Sequence, residues 1–423
     1  MNPIPDRRQF LRTGAASLSA LTMAGAADSP TRKIHMGILG LHGRGKDLLR
    51  RFTTWDDVEI AYLCDPDSRV FPAALKALPE RHKRQPKCVA DLREVLADRN
   101  VDAVVVATPD HWHALATVWA CQAGKHVYVE KPVSHNLIEG RRMVEAARKH
   151  RRVVQVGTQR RSAVFLQEAR DYLRSGKLGK IPFARTWIAG PRPNIGRKAD
   201  GKVPEGVNYD LWLGPASRRP FNPNRFHYTW HWFWDYGTGE LGNNGIHGLD
   251  VIRMLLGLDA PHRVSSSGGK LFYDDDQETP DTQIVAFDFA NCTVVWEHRT
   301  WEKAAGRKRP FGVEIIGEKG TLIVDDAGWH LENGPEPLSV KATPTDGPHQ
   351  RNFLDCVVSG KMPAGDIEEG HRSTRLCHLG NIAQRLGRSL RFSGEDESIA
   401  GDAEAGKLLG RTYSEGFVLP REV

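Results

Sequence analysis

The residues of this 423-residue chain that could do chemistry concentrate in three short stretches. In "KHVYVEKP" (125–132), the run Val127-Tyr128-Val129 has the length and β-branched content of a buried strand and ends directly in Glu130, Lys131 and Pro132. Two charges at the mouth of a buried strand are costly unless something uses them. One reading is a salt bridge that caps the strand. The other is a site, where an ammonium can hydrogen-bond a reacting hydroxyl and stabilise a developing alkoxide, and a desolvated lysine can relay a proton. A cis Lys131–Pro132 bond is open at this corner.

The second stretch is "GLHGRG" (40–45). A dinucleotide fingerprint is G-x-G-x-x-G between a strand and a helix. Gly40 and Gly45 hold the first and third places, and His42 holds the second. Gly43 stands beside it and could do the same work with the turn shifted by one; Arg44 opens the following helix. Asp65 ends the next strand, 20 residues after Gly45. An acid there accepts hydrogen bonds from a ribose diol and repels a 2′-phosphate, which favours NAD over NADP. Without a ligand, the same residues are a glycine-rich turn.

The third stretch is "FHYTWHWFWDYGTGELGNNGIHGLD" (226–250), whose first eleven residues include seven aromatics, Trp230, Trp234 and Tyr236 among them. Such density either fills a core or lines a sugar site, where ring faces stack on C–H-rich sugar faces. His247 lies one helical turn after Asn243, so the two share a face. Asn can hydrogen-bond a substrate but carries no charge. Asp250 could orient the His247 imidazole or face solvent. His111 and His113 are two apart at a helix start and do not share a face, so no metal site is expected.

These residues need elements to hold them. Strands are expected at 33–41, 58–65, 101–109 and 152–159, besides the run ending at Val129. Helices are expected at 43–52, 68–82, 91–98 (with Asp91 as N-cap), 111–124 and 136–150. Buried strands alternating with helices over short connections predict a doubly wound parallel sheet, a Rossmann domain over 33–157. From 158 to 423 the pattern changes. Short strands such as "DTQIVAFDFA", "CTVVWEHRTW" and "FGVEIIGEKG" are separated by turns, with helices near 162–176, 247–257, 348–359 and 368–387. This predicts an α+β domain with a large, mostly antiparallel open sheet.

The stretches "GILGLHGRG", "ATPDHWHALATVWACQAGKHVYVEKP" and "GTGELGNNGIHGLDVIRMLLG" resemble the Gfo/Idh/MocA oxidoreductases, relatives of glucose–fructose oxidoreductase and inositol dehydrogenase. The resemblance runs from about residue 33 to the C-terminus. It implies that Lys131 is the active-site lysine and that Glu130, Thr108, Pro109, Trp112 and His113 lie along the cofactor. Gln159 is assigned with them. It implies an acid/base role for His247 at the substrate hydroxyl. The family usually has Asp-x-x-x-His here; the Asp place is Asn243, so that residue's role carries over only in part. Arg160, Arg161, Trp230, His231, Trp234, Tyr236 and Asn243 are expected to hold a carbohydrate substrate. A homo-oligomer formed through the C-terminal sheet is expected. Two other readings stay open: some relatives oxidise a sugar transiently and are net glycosidases, and the same fold serves as a non-catalytic sensor.

Residues 1–26, with "DRRQFLRTGAASLSALTMAGA", resemble a twin-arginine signal: Arg7 and Arg8, a weakly apolar stretch, and the small residues Ala24-Gly25-Ala26. This predicts export, to the periplasm or beyond, of a protein that has already folded around its cofactor. The stretch is too short and too weakly apolar to span a bilayer. The net charge is +7 and the pI about 9.1, without a long basic run or an aromatic-interleaved basic stripe, so a basic surface is expected rather than a nucleic-acid footprint. Six cysteines without CxxC spacing read as free thiols.

Overall fold

The computed structural model describes residues 33–303 and 310–423; the expected export signal lies outside them. Six parallel strands, β1 (Ile34–Leu39), β2 (Val58–Cys64), β3 (Lys87–Val89), β4 (Ala103–Val106), β5 (His126–Val129) and β6 (Val154–Val156), form a sheet in the order β3-β2-β1-β4-β5-β6. β4 is buried throughout and β1 nearly so, as a sheet covered on both faces requires. Strand order reverses at β1, which has β2 on one side and β4 on the other. The crevice above such a reversal is where open α/β sheets bind ligands. The expected helix over 68–82 is shorter than its pattern: a 3₁₀ turn at Ser68–Val70 leads into a helix at Phe71–Lys76. Pro79 ends it, because the residue before a proline avoids helical dihedrals.

After residue 158 the strands belong to a second, ten-stranded sheet: β7 (Phe183–Ala189), β8 (Arg263–Gly269), β9 (Thr282–Asp288), β10 (Thr293–Arg299), β11 (Phe311–Gly317), β12 (Gly320–Asp325), β13 (Gly328–Glu332), β14 (Ser339–Lys341), β15 (Leu390–Ser393) and β16 (Ser398–Ile399). Their order is β14-β13-β12-β11-β7-β10-β9-β8-β15-β16, with only the β7–β10 contact parallel. Helices Val164–Arg174, Ile246–Leu256 and Ile367–Leu386 pack on this sheet over a core that includes Trp296, Phe287, Val285 and Leu322. Burying each such side chain contributes about 1.5–3 kcal/mol. Helix Ile246–Leu256 lies so close to β7 that a Cβ on Gly248 would come within 2.0 Å of Thr186 Oγ1. That contact seats His247, one residue earlier, at the junction of the two sheets.

The C-terminal chain returns to the first sheet. Phe353 and Leu354, on helix Asp346–Ser359, join Ile34, Met36 and Ile38 in one core, and Leu419 and Val423 join Leu39 and Val127 in another. All six cysteines are free thiols; five are buried and Cys88 is exposed. Among the described residues no helix is long and apolar enough to cross a membrane.

Candidate active site

A cleft of about 400 Å³ opens at the carboxyl ends of β1, β4 and β5. The glycine turn forms one end. Gly40 has φ +85°, and a Cβ there would meet the Ala107 carbonyl at 2.6 Å. A Cβ on Gly45 would lie 1.9 Å from the Gly40 carbonyl, so Gly45 packs beneath the turn rather than lining the cleft. Gly43, at φ +48°, faces open space. Gly43, not His42, therefore leaves the backbone open to a ligand, next to the N-terminus of helix Arg44–Phe52, a natural seat for a diphosphate. Asp65 is buried and accepts from the backbone N–H groups of Leu41 (2.8 Å) and Asp67 (2.9 Å), tying the turn to the end of β2. Burial pushes its carboxyl up to about 6. Thr108 Oγ1 and Gln159 Oε1, both on residues of the cleft wall, are buried without a protein partner. Open backbone, helix terminus, acid and orphaned polar atoms together fit a dinucleotide.

At the other end, Glu130 accepts from Arg44 Nε at 2.9 Å, and Arg44 also reaches Asp346. The Lys131–Pro132 peptide is cis. His113 Nδ1 and Nε2 lie 2.7 and 2.9 Å from the carbonyls of Pro132 and Thr108, joining that corner to the end of β4. Trp112 donates to the Leu211 and Trp212 carbonyls, each at 3.1 Å. Lys131 Nζ donates to the backbone carbonyl of Asn243 (2.7 Å) and to its Oδ1 (3.1 Å). Asn243 sits in a five-residue π turn, Leu241–Gly245, a distortion that often marks functional positions. Burial lowers the Lys131 ammonium below its ordinary value and, reinforced by Lys131, drives His247 well below its own, so the imidazole is neutral.

Gly40, His42, Gly43, Arg44, Asp65, Thr108, Pro109, Trp112, His113, Glu130, Lys131, Gln159, Trp230, His231, Asn243 and His247 all line this one cleft. The other expected substrate residues do not. Arg161 forms a buried pair with Asp250 at 2.8 Å, and Asp250 also accepts from Ser373; Asp250 thus neither orients His247 nor faces solvent. Arg160 pairs with Asp326 and lies over the Phe311 ring. Trp234 lies under Arg385, and Tyr236 is wholly buried beside His111 and Trp212. Tyr236 is a core aromatic and half-buried Trp234 lies outside the cleft, so the dense stretch does not act as one sugar-binding surface. His111 Nε2 meets the Trp212 carbonyl at 2.9 Å, apart from His113's partners.

Three cleft features were not expected from the sequence. Asp110, at the start of helix Asp110–Gln122, is wholly buried, accepts from Thr238 Oγ1 at 2.8 Å, and is pushed by burial up to about 7. His227 stacks on His42 with ring centroids 4.8 Å apart and planes 5° apart, and meets Asp67 Oδ2 at 2.6 Å. The preceding chain adds backbone bonds to the loop after Asp65: Ser68 N–H to the Gly206 carbonyl (2.9 Å) and Asn208 N–H to the Pro66 carbonyl (2.7 Å). Residues 206–208 and 227 thus clasp the cofactor end of the cleft. "CDPD", with its second acid, was the one sequence signal for this contact.

A parallel sheet carrying a glycine turn, a strand-end acid and a lysine, facing a histidine on a second domain, defines a dinucleotide-dependent oxidoreductase. Residues 34–158 match the oxidoreductase-family NAD-binding Rossmann fold and residues 194–418 the oxidoreductase-family C-terminal alpha/beta domain; the chain belongs to the Gfo/Idh/MocA oxidoreductase family. It is 27% identical over 302 residues to the uncharacterised oxidoreductase YrbE of Bacillus subtilis, covering 70% of this chain and 75% of that one. It is 29% identical over 173 residues to an inositol 2-dehydrogenase of Salmonella typhimurium, covering 40% and 49%. Its fold is similar to that of the WlbA dehydrogenase from Bordetella pertussis, solved with NADH and UDP-GlcNAcA, with TM-score 0.66, 22% identity, and coverage of 86% and 99%.

Proposed function

We propose that this oxidoreductase acts on a secondary hydroxyl of a sugar or sugar derivative, outside the cytoplasm, with NAD(H) that stays bound and is restored within each cycle. The observation that carries the reading is Lys131, held by Asn243 on a cleft wall shared with His247, with the glycine turn at the far end. Bound there, NAD supplies the hydride acceptor. Lys131 and the neutral His247 manage the hydroxyl proton: as the carbon gives up hydride, the O–H proton passes to one of them and the carbonyl forms. Trp230 and His231 supply an aromatic wall for the sugar ring. The inositol dehydrogenase relative and the nucleotide-sugar complex of the WlbA structure support a polyhydroxylated substrate. The twin-arginine-like segment and the clasp support retention of the cofactor.

The test is a panel of free sugars, cyclitols and nitrophenyl glycosides, followed for both NADH absorbance and nitrophenol release. The expected result is sugar-dependent reduction of bound NAD without release of nitrophenol. Nitrophenol release without net NADH would replace this reading with glycoside cleavage by transient oxidation. A wholly silent panel would favour a sensor.

A further inference from the structure

Asn243 stands where the family resemblance leads one to expect an aspartate, and the geometry gives this exchange a consequence. Lys131 Nζ donates to two oxygens of the same residue, the main-chain carbonyl at 2.7 Å and Oδ1 at 3.1 Å. Both oxygens are neutral and only accept. An amine and an ammonium can each supply two N–H groups, so both bonds survive a change of charge. The nitrogen has four tetrahedral positions. One is bonded to Cε and two are committed to Asn243. The fourth, a lone pair when neutral and an N–H when charged, is left for the cleft that Lys131 lines.

The charged surroundings do not pin the ammonium. Glu130 precedes Lys131 in the chain, Asp110 opens helix Asp110–Gln122, and Glu240 precedes the π turn; all three favour the charged form. Arg44 opposes it. Among the described residues none of these carboxylates is within ion-pair or hydrogen-bond distance of Nζ. Glu130 is taken by Arg44, Glu240 by Arg192 and Asn244, and Asp110 by Thr238. Burial lowers the three histidines on the same wall, His113, His231 and His247, below their ordinary value.

We propose that Asn243 is a positioning residue that aims the exchangeable proton of Lys131 while adding no counter-charge to its ammonium, so that Lys131 itself changes charge during turnover. In oxidation the hydroxyl proton moves to the Nζ lone pair, the O–H electron pair becomes the second C–O bond, and the C–H pair leaves as hydride to the nicotinamide. Reduction reverses each movement. The inference rests on the assignment of Lys131 to the substrate hydroxyl.

The test uses the NAD-loaded protein. Trace labelling with acetic anhydride across pH, with the Lys131 peptide quantified by mass spectrometry, reports the charge of this amine without substrate. In the native chain its midpoint is expected below the ordinary lysine value of about 10.4. In Asn243→Asp it is expected to rise by about one to three pH units, the scale of an adjacent opposite charge. The rising limb of kcat/KM against pH should move up with it, because the neutral amine is the reactive form. A native midpoint at or above the ordinary value overturns the proposal, and this measurement needs no variant to fold. An unmoved midpoint in Asn243→Asp also overturns it. A raised midpoint with an unmoved rate limb would support the tuning by Asn243 but overturn the hydroxyl assignment of Lys131.

Discussion

Lys131 and His247 bring the same demand for low charge into one cleft. The lysine must stay close enough to neutrality to exchange a proton, and the histidine must stay uncharged beside it. Burial serves both, and no carboxylate pairs with Lys131 Nζ among the described residues. Lys131→Ala and His247→Ala are each expected to lower turnover by roughly a hundredfold to ten-thousandfold while NAD stays bound. Steady-state rates, with bound nucleotide measured on the same samples, check this; near-full turnover in either variant would remove that residue from the chemistry. Asp65 yields a prediction with a sign. Its carboxyl is raised to about 6, so the charge that repels a 2′-phosphate is present above that pH and lost below it. Preference for NAD over NADP should therefore narrow as pH falls from neutrality to about 5, measured as the ratio of Kd values on stripped protein. Equal or tighter NADP binding at neutral pH would contradict the role given to Asp65. At this scale the sequence was informative where a residue's type conflicted with its surroundings, as with Glu130 and Lys131 at a strand mouth. It misled where a partner lay far along the chain. Arg161 follows a strand end as a substrate arginine would, but Asp250, 89 residues on, claims it.

Among the elements, the parallel strands and their helices follow from continuous apolar runs, and the loop that completes the site does not. Nothing periodic marks residues 190–232, and the contacts that fix them lie in other parts of the chain: with Asp65–Ser68 and His42 on one side, and with Glu240, Asp275, Asp276 and Thr300 on the other. The same holds for β3, β14 and β16, two or three residues long, whose existence depends on a neighbouring strand rather than on local pattern. The clasp makes a prediction of its own. Removing the His227 ring deletes one stack and one bond to Asp67. A loss of about 1.4 kcal/mol, near the upper end for an aromatic pair, corresponds to a tenfold change. His227→Ala should therefore speed NADH dissociation by about tenfold, read by fluorescence as excess NAD displaces it. An unchanged rate would mean that the clasp does not hold the cofactor.

In the whole molecule, two C-terminal segments bind the second sheet back to the first. The helix Asp346–Ser359 and the last residues return to the cores of the first sheet, so the second sheet cannot swing away without disturbing them. That architecture suits a protein that folds once around its cofactor and keeps it. The proposed export would supply the reason: beyond the cytoplasm there is no NADH pool to exchange with, so under that proposal the hydride goes to a second substrate or back to the first. The most direct measurement is of turnover by purified, exhaustively dialysed protein with no nucleotide in the buffer, alongside mass spectrometry of what acid releases from it. The account predicts many turnovers per chain and NAD(H) recovered at close to one per chain. Activity that appears only with millimolar added NAD, and releases one NADH per turnover, would contradict it.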